Sequence, residues 1–229
     1  MFYLQDASLL EFQRRFQDEV QSNNLATVFG VRDIPSDTQL RHIIDAHDYR
    51  SMFEVFPAFI RRMQRSKQLE RYRFYQGKYL LTIDGGEYFN SERVWCESCL
   101  ERHKSSASVE YYHQTLQSAI VHPRMREVLP LSPEFIRRQD GAKKQDCEQN
   151  AAARVLERLR SDYPQLPFIV AADALHANAE TIRRLKHKRC SFLLAVKPGS
   201  HRHVFDEIER LRRGQMLDRL ERVDRKGRR

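Results

Sequence analysis

No stretch of eighteen apolar residues occurs in this chain, whereas a helix needs about 20 of them to cross a bilayer. No membrane span is expected. The opening residues MFYLQDASLL lack both the basic segment and the long apolar core of a secretory signal. Cysteine is scarce, and four in 229 residues do not make a disulfide framework. A reducing compartment, the cytoplasm, is the expected location. Internal repeats and low-complexity tracts are also missing, which argues against a repeat architecture.

What the chain does have is charge. Charged residues make up 31% and hydrophobic ones 41%, enough for a core, and the net charge is +9. Residues 210–229 hold nine Arg and Lys against three acids, Asp218, Glu221 and Asp224, a net +6. An arginine-rich balance suits a polyanion, because each phosphate contact releases counterions. Nucleic acid is therefore the favoured partner, with a solvated basic surface as the alternative.

The first 75 residues read as small and helical. Leu9, Leu10, Phe12, Phe16 and Val20 give residues 7–22 an amphipathic helical pattern. Ser36 or Asp37 can cap a helix over 38–46, and Pro57 should start, bend or break the next one. From Lys78 the character changes. Strands are predicted at 78–84, 109–122 and around 127–131, and a helix follows DCEQNAAARVLERLRSDY, with Asp146 as cap and Ala152, Val155, Leu156 and Leu159 on one face. The strand PFIVAADAL, the helix AETIRRLKHK and the strand CSFLLAVK complete a mixed sheet flanked by helices. The last residues, LERVDRKGRR, read as a strand entering a turn or as a basic tail.

Two predicted strands share an oddity. KYLLTID runs into Asp84, followed by Gly85 and Gly86, and PFIVAAD runs into Asp173. Desolvating a carboxylate is costly unless it is paired or metal-bound. If the two strands are neighbours, the carboxylates converge, and like charges raise one pKa unless a cation lies between them. Magnesium takes such oxygen ligands together with water and phosphate oxygens. A pair of ions about 4 Å apart serves phosphoryl transfer by stabilising both attacking and leaving oxygens. Each aspartate taken alone is more simply a turn or helix-start residue.

This order of elements, with Asp84 on the first strand and Asp173 after the fourth, resembles the RNase H-like fold. The stretches LLTIDGGEYFNSERVWCESCLER, YYHQTLQSAIVHPRMREVLPLSPEFI, QDGAKKQDCEQNAAARVLERLR and IVAADALHANAETIRRLK resemble bacterial insertion-sequence transposases of the DDE class. The family pattern Asp-Gly-x-x-x-Phe is matched by Asp84, Gly85 and Phe89, and Asp-[Gly/Ala]-Leu-x-x-Asn by Asp173, Ala174, Leu175 and Asn178. Upstream, FGVRDIPSDTQLR resembles the helical segment before the catalytic core.

The resemblance implies an α/β chain, with residues 1–75 a helical DNA-binding or linking region and 76–229 an RNase H-like catalytic core. It makes Asp84 and Asp173 the first two catalytic carboxylates and the ligands of Mg2+ or Mn2+. Water would be activated to cut one strand at the element's end, and the resulting 3′-hydroxyl to attack target DNA. The implied partners are transposon ends and target DNA, with a homodimer in the DNA complex.

The family's third acid, a Glu within a Tyr…Arg…Glu…Lys motif, has no counterpart. Glu180, Asp206, Glu207, Glu209, Asp218, Glu221 and Asp224 do not fit, and no tyrosine follows Tyr163. The expectation is a truncated transposase, incomplete at its C-terminus and inactive by itself in transposition. The alternatives are a DNA-binding fragment without chemistry, or a small nuclease that recruits Asp146 or Glu148 from the central helix. Asp146 is more simply a cap, and Glu148 a first-turn acid favoured by the helix dipole.

Other constellations remain. CESC places Cys96 and Cys99 at zinc-ligand spacing, with His103 and His113 downstream. A second C-x-x-C is missing, so two reduced thiols in a loop are the alternative. Lys143 and Lys144, before the central helix, and Lys197, His201, Arg202 and His203, after the last strand, could hold a DNA backbone or be merely solvated.

Overall fold

A computed structural model describes residues 8–17, 26–28, 30–105, 108–138 and 147–218. The chain divides into two compact units, Met1–Val55 and Phe56–Arg229. In the first, helix α1 (Leu9–Phe16) is capped by Ser8, whose hydroxyl accepts from the Glu11 amide, and Phe16 is buried. Helix α2 (Asp37–Asp45) opens with a capping box between Ser36 and Gln39, so Ser36 is the cap and Asp37 the first helical residue. The amide of Asp37 donates to Gln13 Oε1. A single 3-10 segment, Tyr49–Glu54, follows, capped by Asp48.

Helix α3 (Val55–Arg65) carries Pro57 in its first turn, where a missing amide costs nothing. Ile60, Leu69 and Tyr72 belong to the same buried cluster as the sheet. The residues from 56 to 75 therefore pack with the second unit, although they continue the helical composition of the first.

The sheet is built from β1 (Tyr79–Ser91), β2 (Leu100–His103), β3 (Val109–Val121), β4 (Leu129–Pro130), β5 (Glu134–Ile136), β6 (Phe168–Ala172) and β7 (Ser191–Leu194). Its order is β2-β3-β1-β6-β7, with β4 and β5 also pairing with β3. The strands β2, β3 and β1 run antiparallel, and β1, β6 and β7 run parallel. This is a mixed α/β sheet flanked by helices, as the order of elements in the sequence predicts.

Helix α4 (Glu148–Asp162) covers one face, burying Ala151, Ala152, Val155, Leu156 and Leu159 against Leu81, Leu116 and Ile120. Glu134 on β5, buried itself, pairs with both Arg154 and Arg158 of α4 and ties the helix to the sheet. Helix α5 (Ala179–His187) joins β6 to β7, and helix α6 (Arg202–Arg213) follows β7.

Three features differ from the sequence reading. Strand β1 does not stop at Asp84 but continues seven residues to Ser91, because β3 pairs with it throughout, Gly85 opposite Leu116 and Gly86 opposite Thr115. The N-cap of α4 is Cys147, which makes no side-chain cap bond; Asp146 lies outside the described residues, as do Lys143, Lys144 and the terminal LERVDRKGRR. The third is α6, which was not anticipated. Its N-cap, His201, makes no side-chain cap bond, and its Nε2 instead meets the Ala177 carbonyl at 2.9 Å. That tertiary contact adds to the local ones, in which His201 Nδ1 meets Ser200 Oγ at 2.8 Å and the His201 amide donates to the Lys197 carbonyl at 2.9 Å.

Candidate functional site

Strands β1 and β6 are adjacent and parallel, with Leu81 opposite Val170 and Thr82 opposite Ala171. Leu81 and Ile83 on β1, and Phe168 and Val170 on β6, are buried toward α4. Alternation along a strand then puts Thr82 and Asp84, and Ala171 and Asp173, on the opposite face. Asp173 follows β6 with extended backbone, φ −76° and ψ −176°. Each aspartate thus lies two residues beyond a registered pair, on one face and at one end of neighbouring strands. Neighbouring strands are about 4.8 Å apart, so the two aspartates follow backbones that run side by side up to Thr82 and Ala171.

Asp84 is central in its pairing with β3, opposite Gln117, yet terminal relative to β6, which ends at Ala172. The carboxylate can emerge there because the sheet narrows beside it.

The electrostatic surroundings set these acids apart. Several carboxylates of the unit are matched with cations: Glu87 and Glu110 with Arg102, Glu101 with Arg138, Glu157 with Lys188. Of the acids weighed as a third carboxylate, three are engaged likewise, whereas Asp206 and Asp218 have no ion pair among the described residues. Glu180 pairs with Arg183 and Arg184, Glu207 with Arg210, and Glu209 with Arg212. Glu221 and Asp224 lie outside the described residues. Asp84 has no hydrogen bond or ion pair among the described residues. Asp173 accepts from the Leu175 amide at 3.0 Å through Oδ1 and has no cationic partner among the described residues. In a chain of net charge +9, two such acids at one strand edge suit an external cation, and their oxygen donors suit Mg2+ or Mn2+.

Glu148 approaches the same stretch of β1 from the α4 face. A Cβ added to Gly85 would lie 2.5 Å from the Glu148 Cδ and Oε1 and 2.8 Å from Oε2. The bare Cα of Gly85 leaves the room this carboxylate occupies, and its partner is the uncharged amide of Gln114. Gln149 Nε2 also donates to the Leu175 carbonyl at 3.3 Å, which ties the start of α4 to the turn after Asp173.

Gly85→Ala should therefore displace the Glu148 side chain and break its bond to Gln114. Because the obstacle is the far end of a flexible side chain, the stability cost should stay near the low end for overpacking, roughly 1 kcal/mol. Thermal melts of Gly85→Ala beside Glu148→Gln check this, and the two should shift alike.

Strand β7 ends on the same edge as β6, and the Ala195 amide donates to the Ala172 carbonyl at 3.1 Å. The loop that follows carries Lys197, exposed and outside any ion pair among the described residues, and leads to Arg202 and His203 at the start of α6. A basic loop beside an acidic strand edge can hold a phosphate backbone over a metal site.

A second constellation lies further along the β1–β3 ribbon. Cys96 Sγ and Cys99 Sγ are 3.6 Å apart, and His113 Nε2 lies 3.3 Å from the first and 3.4 Å from the second. His103 does not join them: it pairs with Val109, four residues before His113 on β3. Burial pushes the Cys99 thiol up in pKa, opposed by the Cys96 amide, which donates to its Sγ at 3.2 Å. Burial pushes the His113 imidazole down in pKa. Among the described residues, this is the group of three potential metal ligands whose donor atoms all lie within 4.8 Å of one another; Asp84, Asp173 and Glu148 are not gathered so tightly.

No family model and no curated protein matches the sequence. Among solved structures, the chain is similar to a piggyBac transposase in a synaptic complex with hairpin DNA, seen by cryo-EM. The identity is 13% and the TM-score 0.37, over 94% of this chain and 44% of that one. This chain thus spans less than half the length of that transposase. Among the described residues no helix is long and apolar enough to cross a membrane.

Proposed function

We propose that this chain carries the catalytic core of a DDE-class DNA transposase of an insertion sequence and acts on DNA strands with Mg2+ or Mn2+ at Asp84 and Asp173. One observation supports this above the rest: two aspartates from distant parts of the chain stand on one face where the pairing of neighbouring parallel strands ends, with no cationic partner among the described residues. When bound, the metal supplies Lewis-acid activation of water and of the scissile phosphate.

The chain's own residues do the rest. Asp84 offers both oxygens. Asp173 keeps Oδ2 available while Oδ1 fixes the following turn. Lys197 and Arg202 bind backbone phosphate. The transposon end and the target DNA are the substrates, a homodimer would synapse two ends, and the helical region of residues 1–75 contacts or links DNA.

A second reading draws on Glu148. Its placement against Gly85, with an amide as its partner, favours a smaller RNase H-like nuclease in which Glu148 supplements the two aspartates. A supercoiled-plasmid assay tests the proposal. Nicking is expected with Mg2+ or Mn2+ and should cease with EDTA, whereas a gel shift should persist in EDTA. Binding without nicking under either metal would reject catalysis by this chain and leave a DNA-binding protein.

A further inference from the structure

The thiols of Cys96 and Cys99 and the imidazole of His113 form a triangle with edges of 3.6, 3.3 and 3.4 Å. A tetrahedral zinc ion with Zn–S of about 2.3 Å and Zn–N of about 2.05 Å spaces two sulfurs about 3.75 Å apart and a sulfur and a nitrogen about 3.55 Å apart. The three edges are within about 0.3 Å of those values. Two thiols and an imidazole packed merely for space have no reason to direct all three lone-pair atoms at one point. We propose that Cys96, Cys99 and His113 bind a zinc ion, with the fourth position taken by water.

The surroundings are those of a metal knuckle. The Cys99 amide donates to the Cys96 carbonyl at 3.0 Å, and the Cys96 amide to Cys99 Sγ at 3.2 Å, so the tight turn carries its own donor to a thiolate. His113 is held from two sides, stacked on Tyr88 with centroids 5.6 Å apart and 16° between planes, and tilted against Phe89 at 5.6 Å. A fixed ring keeps Nε2 aimed at the sulfurs. Cys99 is 3% exposed, so a thiolate there needs a cation nearby.

The site also has mechanical work to do. The connection from β1 to β2 exposes Val94 and Trp95, and Ser91 Oγ anchors it by accepting from the Arg93 and Val94 amides. A metal joining Cys96 and Cys99 to His113 would fasten that connection to the middle strand of the ribbon.

This site is separate from the aspartates. His113 lies four residues along β3 from Gln117, the partner of Asp84, or about 13 Å at 3.3 Å per residue. The donors differ as well, soft sulfur and nitrogen here and carboxylate oxygen there, so the two sites select different ions. Zinc content and magnesium-dependent nicking can accordingly succeed or fail independently.

The experiment is metal analysis of the full chain purified under reducing conditions. About one zinc per chain is expected. It should fall at least tenfold in Cys96→Ser/Cys99→Ser and stay unchanged in Cys147→Ser, with His113→Ala binding on the order of 10- to 100-fold more weakly. A titration of the reduced, chelator-stripped wild-type chain with Co2+ needs no variant. It should give visible ligand-field bands and a thiolate charge-transfer band, saturating at one equivalent and bleached by Zn2+. The proposal is overturned if folded wild-type protein is zinc-free and takes up neither ion after reduction, or if the double variant retains zinc. A Cys96–Cys99 disulfide whose reduction restores no metal binding overturns it equally.

Discussion

Asp84→Asn is expected to remove metal-dependent DNA cleavage while leaving the fold intact. The side chain makes no hydrogen bond or ion pair among the described residues and is exposed, so its replacement should change stability by no more than about 0.5 kcal/mol. Its proposed role is to supply negative oxygens to a divalent ion, and metal stabilisation of the transition state contributes several kcal/mol. At about 1.4 kcal/mol per decade, losing it should lower the nicking rate by on the order of 10³-fold or more.

Asp173→Asn should lose as much activity with little loss of stability, because asparagine caps as well as aspartate does and can keep the bond to the Leu175 amide. Glu148→Gln separates the two readings of the site. A drop as deep as that of Asp84→Asn favours the nuclease reading, and a drop of a few-fold leaves the aspartate pair as the metal site. Plasmid nicking rates, measured beside melting curves of the same preparations, read all three. An Asp84→Asn chain that nicks at the wild-type rate would sink the proposed function.

The order of strands and helices in the second unit was legible because its signals are local and strong. VEYYHQTLQSAIV is rich in Tyr, Thr, Ile and Val, the residues strands favour, and is β3. The apolar stripe Ala152, Val155, Leu156 and Leu159 is the buried face of α4. What was not legible depends on partners. Gly85 and Gly86 read as a turn because glycine usually punctuates; they are strand residues, since β3 supplies their hydrogen bonds and Glu148 needs the space a Cβ would fill. The strands β2 and β5, four and three residues long, carry too little pattern to show a period and exist because β3 templates them. In the CESC cluster, spacing nominated His103 and His113 equally. Only the antiparallel register chooses between them, bringing His113 to the cysteines and His103 to Val109. The aspartates were singled out from their position after apolar runs, but their common face follows from the pairing of Thr82 with Ala171, which no local pattern contains.

Leu116→Ala should be among the most destabilising single substitutions in the second unit. Leu116 is 0% exposed. It pairs with Gly85 on one side and Glu134 on the other, so it stands where β1, β3 and β5 meet beneath α4. Truncating a fully buried leucine removes its transfer free energy and leaves a cavity, for a typical cost of about 2–5 kcal/mol. The upper half of that range is expected, because strands bonded on both sides cannot move in to close the gap. Against a total stability of about 5–15 kcal/mol, this is a large fraction. Leu193→Ala, at a position 67% exposed on β7, should change little and serves as the control. Urea unfolding with unchanged slope and a lowered midpoint would confirm the loss as a change in stability. The same variant bears on the site. Gly85 opposite Leu116 is the residue after Asp84, and Glu148 fills the space beside it. If packing under Leu116 positions these groups, metal affinity of the still-folded variant should weaken along with its stability. If backbone pairing alone sets the register, stability should fall while metal affinity holds, and the aspartates would owe their placement to the strand ladder.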